Sequence, residues 1–438
     1  MGERSIRIGL IGFGTIGTGV IKLLQRQRQT IRDKLGVGLD LVRVADIDTR
    51  RDRGVKLGRG VLVNDARQIL DDPSIDVVIE LMGGTGIARR FVLEAVAAGK
   101  DVVTANKALL AHHGVEIFRA VERAGTSIGF EASVGGGIPI IRVLKEGLSG
   151  DRNQAVYGIV NGTSNYILSR MSEEGGEFGE VLKAAQAGGL AEADPSFDVD
   201  GIDAAHKLTL LIQLAFGVRV PVAPANVEGI RHVSQADIAF AREFGYAIKS
   251  LAVAKRAGER IEASVRPTMV PRRHPLASVH GALNAIVVQG EALGPSMYTG
   301  AGAGMMPTAT AVVADLMDVA RNRVHGCRGR VAPLGYPVRS QLRARAVAAD
   351  DLHGEYYLRF MVVDRPGGLG RIAGILGDHD VSIAAVIQRE REHGRVVPVV
   401  IRTHDAREQA LRRAVRTIDR LAVVRGRSTV IRIEESLG

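Results

Sequence analysis

The sequence predicts an α/β chain of several domains: a doubly wound parallel sheet first, an α+β region in the middle, and a small βαββαβ module at the C-terminus. Three observations predict it. Short β-prone runs alternate with helical patterns over the first 130 residues, the pattern changes near residue 131 to longer strands and loops, and a strand, helix, strand, strand, helix, strand series closes the chain. With 438 residues, at roughly 100 to 200 per domain, two to four domains fit, each able to bury its own core.

Residues 5–11 form the first strand, an apolar run ending at Gly12. The helix expected over 15–28 is read from Ile16, Val20, Leu23 and Leu24, which share one face of a 3.6-residue period. Short buried strands follow at 40–44, 77–81, 102–104 and 127–130, with helices at 88–98 and 114–124 between them. In the middle region 152–160 and 262–270 read as strands, and 203–216 and 234–244 as helices. A helix ends at 315–323, and residues 326–351, rich in Arg, Pro and Gly, read as a linker. Beyond it come a strand at 356–363, a helix at 368–378, strands at 383–388 and 396–403, a helix at 406–419 and a strand at 428–433, the ferredoxin-like order. No internal repeat and no low-complexity tract interrupts this series.

Composition removes several classes. An apolar fraction of 46% with charges of both signs excludes a disordered chain, and the 53 glycines follow no collagen period. A single cysteine, Cys327, excludes an internal disulfide framework and a cysteine metal cage, and fits a reducing, cytoplasmic compartment. The N-terminus mixes charges with its apolar residues, unlike a secretory signal, and no run approaches the ~18 uncharged apolar residues of a membrane span. The net charge of +10 is concentrated: between 319 and 349 lie seven arginines and no Lys, Asp or Glu. No aromatic stripe accompanies them and Trp is absent, so nucleic acid stacking has little support and no nucleic acid partner is expected. The basic stretch reads as a seam between domains, pairing with acidic groups.

Gly12-Phe13-Gly14-Thr15-Ile16-Gly17 follows a hydrophobic strand and opens an amphipathic helix. This is the context a dinucleotide loop needs: the first glycine makes the turn, the second admits the pyrophosphate, the third packs helix on strand, and the helix N-terminus offers free N–H groups. At the end of the second strand Asp46 suits a free ribose 2′-hydroxyl and hence NAD, whereas Arg50, Arg51 and Arg53 suit the 2′-phosphate of NADP, and the two signals conflict. A second cluster, Gly300, Gly302 and Gly304, precedes Pro307 and a helix, and reads as a nucleotide contact, with a purely structural turn as the alternative.

The densest chemistry lies between Ala185 and Lys207. Glu192, Asp194, Asp198, Asp200 and Asp203 feed a helix on which Lys207 sits four residues after Asp203, on the same face. Such carboxylates can bind a substrate ammonium and the lysine can deliver a proton to a carbonyl oxygen; an exposed acidic loop with one surface ion pair is the competing reading, and a calcium loop lacks the required ligand order.

At this point the sequence resembles a known family. Ala185, Gly189, Pro195, Asp198, Gly201, Asp203 and Lys207 occupy the fixed positions of the homoserine dehydrogenase signature. The Gly12 loop, Thr104-Ala105-Asn106-Lys107, the run from Glu131 to Pro139, the run from Asn161 to Leu168 and the Gly300 cluster resemble the same family, in continuous order over residues 5 to 325. Residues 356–435 resemble an ACT domain, in the Asp364-Arg365-Pro366-Gly367 turn and in element order.

The resemblance implies roles residue by residue. Lys207 would donate the proton to the substrate carbonyl, with Lys107 a second catalytic or binding lysine beside the nicotinamide. Glu192 and Asp203 would bind the amino acid substrate, with Asp198 as helper and Thr163 lining the pocket. Gly12, Phe13, Gly14, Thr15, Ile16, Gly17, Thr104, Lys107, Gly189 and Gly302 would contact the nucleotide, with Arg50 toward a 2′-phosphate. A monovalent cation, Na+ or K+, would sit on the strand-loop of Glu131, Val134, Gly136 and Ile138, largely through backbone carbonyls. Departures are Met82-Gly83-Gly84-Thr85, which lacks a proline after the paired glycines, Leu190 in place of a tyrosine, and Ile47 where NADP-preferring relatives are basic, so NADP leads NAD only slightly.

The implied organisation is an NAD(P)-binding Rossmann domain over 1–133 completed by a helix at 305–325, a catalytic and dimerisation domain over 134–304, the linker over 326–351, and an ACT regulatory domain over 352–438. The implied reaction is reversible NAD(P)H-dependent reduction of L-aspartate 4-semialdehyde to L-homoserine, on the way to threonine, methionine and isoleucine, with threonine as effector at the ACT domain and a homodimer or homotetramer as assembly. An aspartate-semialdehyde dehydrogenase would need a thiolate, for which only Cys327 is present, far from the other motifs. A non-catalytic amino acid sensor would leave Lys207 and the acidic loop without a purpose.

Overall fold

The computed structural model describes residues 5–388 and 395–437. The chain forms two compact units, the first from Met1–Val156, His206–Val220 and Asn284–Arg343, the second from Tyr157–Ala205, Pro221–Leu283 and Ala344–Gly438.

The first unit is built on a six-stranded parallel sheet of β1 (Ser5–Ile11), β2 (Gly38–Ala45), β3 (Leu62–Val63), β4 (Val77–Glu80), β5 (Asp101–Thr104) and β6 (Ile128–Gly129), in the spatial order β3-β2-β1-β4-β5-β6. That order reverses direction between β1 and β4, the switch point at which doubly wound sheets bind dinucleotides. The helices are α1 (Thr15–Arg26), α2 (Arg28–Leu35), α3 (Arg67–Leu70), α4 (Gly86–Ala97) and α5 (Lys107–Ala124). The helix expected over 15–28 stops at Arg26, and α2 runs on to an αL cap at Gly36. The helix expected from 114 starts seven residues earlier, because the Asn106 side chain caps it by accepting the Leu109 N–H at 3.0 Å. The helix Met305–Val324, far along the chain, returns to this unit and buries Ala309, Val312, Leu316 and Ala320 in one core with Ile8, Leu10, Val20, Ile21 and Val44. It approaches α1 so closely that a β-carbon on Gly19 would lie 2.9 Å from that of Ala309.

The first part of the Arg-rich stretch, up to Arg330, docks on this unit, whereas Arg345 belongs to the second. Arg323 pairs with Asp76 at 2.7 Å and with buried Asp101 at 3.0 Å, and Arg330 pairs with Glu146 at 2.8 Å. The seam expected from charge counting does pair with acids, and these acids belong to the sheet unit itself.

In the second unit the long hairpin Tyr246–Ala257 and Arg260–Pro271 is antiparallel throughout. The C-terminal module supplies His353–Val363, Ile383–Ile387, Val396–Thr403 and Thr429–Ile433, whose spatial order is last, first, third, second, all antiparallel, as a ferredoxin-like sheet requires. Its helices Gly368–Asp378 and Glu408–Ile418 cover one face through Ile372, Leu376, Leu411 and Ile418. The opposite face, with Tyr357, Val400 and Ile431, packs on the helices Gly162–Glu173 and Gln235–Glu243 through Ile167, Met171 and Ile238. The last strand also pairs in parallel with the hairpin, Thr268 opposite Arg432 and Met269 opposite Ile433.

Candidate active site

The glycine-rich turn sits where β1 feeds α1. Gly12 has φ +100°, and a β-carbon there would lie 2.6 Å from the Leu81 carbonyl, while one on Gly17 would strike the Gly12 carbonyl. A β-carbon on Gly14 would meet no atom within 4 Å, and Gly14 and Thr15 are both exposed. No side chain caps α1, so its first-turn amides remain to meet a phosphate. The turn is thus tight at its two ends and open in the middle, the cradle a pyrophosphate needs. Phe13 is buried and Ile16 packs on the core, so both shape the loop from below.

Asp46 organises this loop. Its carboxylate accepts from Phe13 N at 2.7 Å and from Asp48 N at 2.8 Å, and pairs with Arg53 Nη2 at 3.2 Å. Arg53 also donates to the Phe13 carbonyl and lies 4.6 Å from the Phe13 ring centre. Arg50 is exposed, and its backbone N–H donates to Asp48 at 3.1 Å. Arg53 is therefore the guanidinium that reaches the glycine turn.

Lys107 opens α5. The turn before it is fixed by Glu80, fully buried at the end of β4, which accepts from Thr104 Oγ1 at 2.7 Å and from Met82 N at 2.9 Å. Burial pushes the Glu80 carboxyl above its ordinary range, against the pull of Thr104. Thr104 in turn accepts from Asn106 N at 3.0 Å, and Asn106 reaches the Gly84 carbonyl at 2.7 Å. Glu80 carries no motif spacing that would have marked it in the sequence, and Asn106, though inside the Thr104-Ala105-Asn106-Lys107 run, is assigned no role by the resemblance. Gly83 and Gly84 both take positive φ, so the loop without proline still makes its turn.

Around the predicted cation loop, Glu131 spends its carboxylate on the N–H groups of Ile141 at 2.7 Å and Arg142 at 2.9 Å, and its own N–H on Asp315 at 2.6 Å. Gly135 and Gly136 have positive φ, and a β-carbon on Gly136 would strike the Gly302 carbonyl. Gly302 rests against Asn284, which is fully buried and whose amide oxygen and nitrogen have no partner among the described residues. Val134 and Ile138 are buried beside it. A buried amide on the strand Leu283–Gly290, unsatisfied among the described residues and next to this loop through Gly302, fits an oxygen-liganded cation. Among the described residues no cluster of three or more His, Cys, Asp or Glu side chains could hold a metal.

In the second unit the acidic loop folds onto the N-terminus of Gly162–Glu173. Asn161 Nδ2 donates to Asp198 Oδ1 at 2.7 Å and to Asp203 Oδ2 at 2.9 Å, and Thr163 Oγ1 donates to Asp198 Oδ2 at 3.1 Å. Asp203 is 3% exposed, whereas Glu192 is exposed, its carbonyl held by Gln186 at 2.9 Å. Gly189 takes φ +71° just after the helix Phe178–Ala187. Asp203 lies in the first turn of the helix Ile202–Phe216, and Lys207, 8% exposed, one turn further along. In the first unit the His206 ring packs edge-on against His112, centres 5.0 Å apart.

Comparison with known proteins agrees with this architecture. The family model for homoserine dehydrogenase matches residues 139–317, that for the homoserine dehydrogenase NAD binding domain residues 12–131, and that for the ACT domain residues 356–421. A homoserine dehydrogenase of Neisseria gonorrhoeae is 42% identical over 432 residues, covering 98% of this chain and 99% of the relative. The crystal structure of a homoserine dehydrogenase from Thiobacillus denitrificans matches with a TM-score of 0.92 and 43% identity, over 99% of each chain. A hyperthermophilic archaeal homoserine dehydrogenase in complex with NADPH matches with a TM-score of 0.61 and 25% identity, over 72% of this chain and 98% of that one. Fold and matches define an NAD(P)-dependent oxidoreductase with a C-terminal ACT domain. The chain belongs to the homoserine dehydrogenase family.

Proposed function

We propose that the protein catalyses the reversible reduction of L-aspartate 4-semialdehyde to L-homoserine, and the observation that carries this reading is the buried Asp203 one helical turn before the buried Lys207. Asp203, with Glu192, takes the ammonium group of the substrate, and Asp198 and Thr163 shape the loop around them. Lys207 as ammonium gives the carbonyl oxygen its proton, and Lys107, fixed by the Glu80, Thr104 and Asn106 network, serves as second lysine. The nicotinamide dinucleotide supplies the hydride when bound; the chain supplies positioning and charge. Gly12 to Gly17, Thr104, Gly189 and Gly302 form its binding positions. NADP is the preferred form: Arg53, held between Asp46 and Phe13, supports a 2′-phosphate site, with Arg50 in the same loop.

The carbonyls of Glu131, Val134, Gly136 and Ile138 hold Na+ or K+, a reading supported by the unsatisfied Asn284 amide beside them. The domain boundaries are those read from the sequence, 1–133 with 305–325, 134–304, 326–351 and 352–438. The ACT domain senses threonine, and the enzyme works as a cytoplasmic homodimer or homotetramer. Initial rates of homoserine oxidation with NADP and NAD, with and without threonine and K+ or Na+, test the reading. Lys207→Ala should abolish most turnover while NADP affinity stays near wild type; equal loss of both would overturn the catalytic role.

A further inference from the structure

We infer that Asn161 is a positioning residue that holds Asp203 in its substrate-binding place by bridging it to Asp198, an inference that rests on the reading of Asp203 as a substrate ligand. The geometry is specific. Asn161 is 5% exposed and precedes the helix Gly162–Glu173. Its amide oxygen accepts from Ser164 N at 2.8 Å and caps that helix, which fixes the side chain and turns its nitrogen away from the helix. An amide nitrogen has two hydrogens to donate. Here both are used on carboxylates, Asp198 Oδ1 at 2.7 Å and Asp203 Oδ2 at 2.9 Å.

This division assigns different work to the two aspartates. Asp198 has one oxygen on Asn161 and the other 3.1 Å from Thr163 Oγ1, a hydroxyl it shares with the Leu190 carbonyl at 3.2 Å, so both of its oxygens face protein donors. Its backbone is tied as well, since its carbonyl accepts from Ser164 Oγ at 3.1 Å. Asp198 is an anchor, and Asn161 is the link from that anchor to Asp203. Two carboxylates brought to one nitrogen are held together by the donor they share, and removing that donor frees Asp203 from the anchor. The Asn161 amide keeps the two groups near each other, so that Asp203 meets the ammonium group of the substrate as an oriented partner.

The test separates the cap from the bridge. In the full-length enzyme, Asn161→Asp keeps an excellent helix cap but replaces the donor by a third carboxylate, and Asn161→Ser keeps the cap with a side chain too short to span both aspartates. Both variants should raise the KM for homoserine at least tenfold, leave the KM for NADP within twofold, and lower kcat less than the KM rises. A purely structural role would not split the two KM values. Unchanged homoserine KM in a variant that melts like wild type would overturn the inference, as would an equal rise in both KM values. If Asn161→Asp fails to fold, Asn161→Ser decides alone by the same criteria. Asp203→Asn distinguishes the underlying reading: no change in homoserine KM there removes Asp203 as a ligand, whereas a large rise there with none in the Asn161 variants removes only the bridge.

Discussion

Arg359, on the first strand of the ACT domain, grips Asp237 with two nitrogens, Nε at 2.7 Å and Nη2 at 3.0 Å, and Asp237 is fully buried. Tyr357 adds its hydroxyl to the same carboxylate at 3.0 Å. Burial alone would raise the Asp237 carboxyl, yet Arg359 and Ser234 outweigh it and hold the group below its ordinary value of 3.8. A carboxyl with a lowered pKa in the folded protein stabilises the fold above its unfolded value, and that contribution is lost as pH falls through the folded value. Asp237→Asn should therefore cost about 3 kcal/mol at pH 7, the usual penalty for breaking a buried pair. Denaturation at a series of pH values should show the gap to wild type closing below the ordinary carboxylate range; a constant gap would contradict it.

Arg53 rather than Arg50 should decide the cofactor. Loss of one charge-assisted contact predicts that Arg53→Ala raises the KM for NADP about tenfold and that for NAD far less. Arg50→Ala, which removes an exposed side chain, should leave both nearly unchanged. Steady-state kinetics with the two cofactors would show a larger effect of Arg50 if this assignment is wrong.

Two glycines should respond in opposite ways. Gly302→Ala drives a β-carbon into the buried Asn284 side chain and should destabilise the protein by about 2 kcal/mol, the cost of overpacking. Gly14→Ala has free space and a φ of −77°, so melting should be unchanged while the KM for the dinucleotide rises. Thermal melting with and without NADP distinguishes the two.

Within the arginine seam, only residues facing buried acids should matter. Arg323→Met leaves Asp101, which is 0% exposed, without its closest cation and should cost about 3 kcal/mol with kcat retained. Arg321→Gln breaks only a surface pair with Asp318 at 3.3 Å and should cost less than about 1 kcal/mol. Urea unfolding monitored beside the activity assay would reveal the contrast.

Much of the architecture is legible in the sequence because it is local. The period of apolar residues places the strands and helices, and the spacing of Gly12, Gly14 and Gly17 identifies the turn that β1 and α1 build. The ferredoxin-like order of the last module likewise follows from its own run of elements. What stays hidden is non-local or silent. Asn161 bonds to residues 37 and 42 positions away, and nothing in its neighbourhood announces them. Glu80 reads as one more strand residue until Thr104, 24 positions on, meets it in the sheet. Arg50, Arg51 and Arg53 look alike on paper; only the fold of the loop brings Arg53 onto Phe13. The early start of α5 follows from a single capping side chain that the apolar period, weak around Gly114, does not register.

The parallel ladder between Thr429–Ile433 and Arg260–Pro271 makes the ACT domain part of its neighbour's sheet. A regulatory module joined in that way is not a detachable cartridge. Besides the face that packs on the two helices, it is tied to its neighbour by the backbone hydrogen bonds of that ladder. A movement of its strands would be shared directly with the hairpin through that ladder and with the helix Gln235–Glu243 through the Arg359 and Asp237 clasp. Truncating the chain before residue 429 would accordingly do more than shorten a small domain: it would strip a rung from the hairpin that stands beside the acidic loop in the same unit.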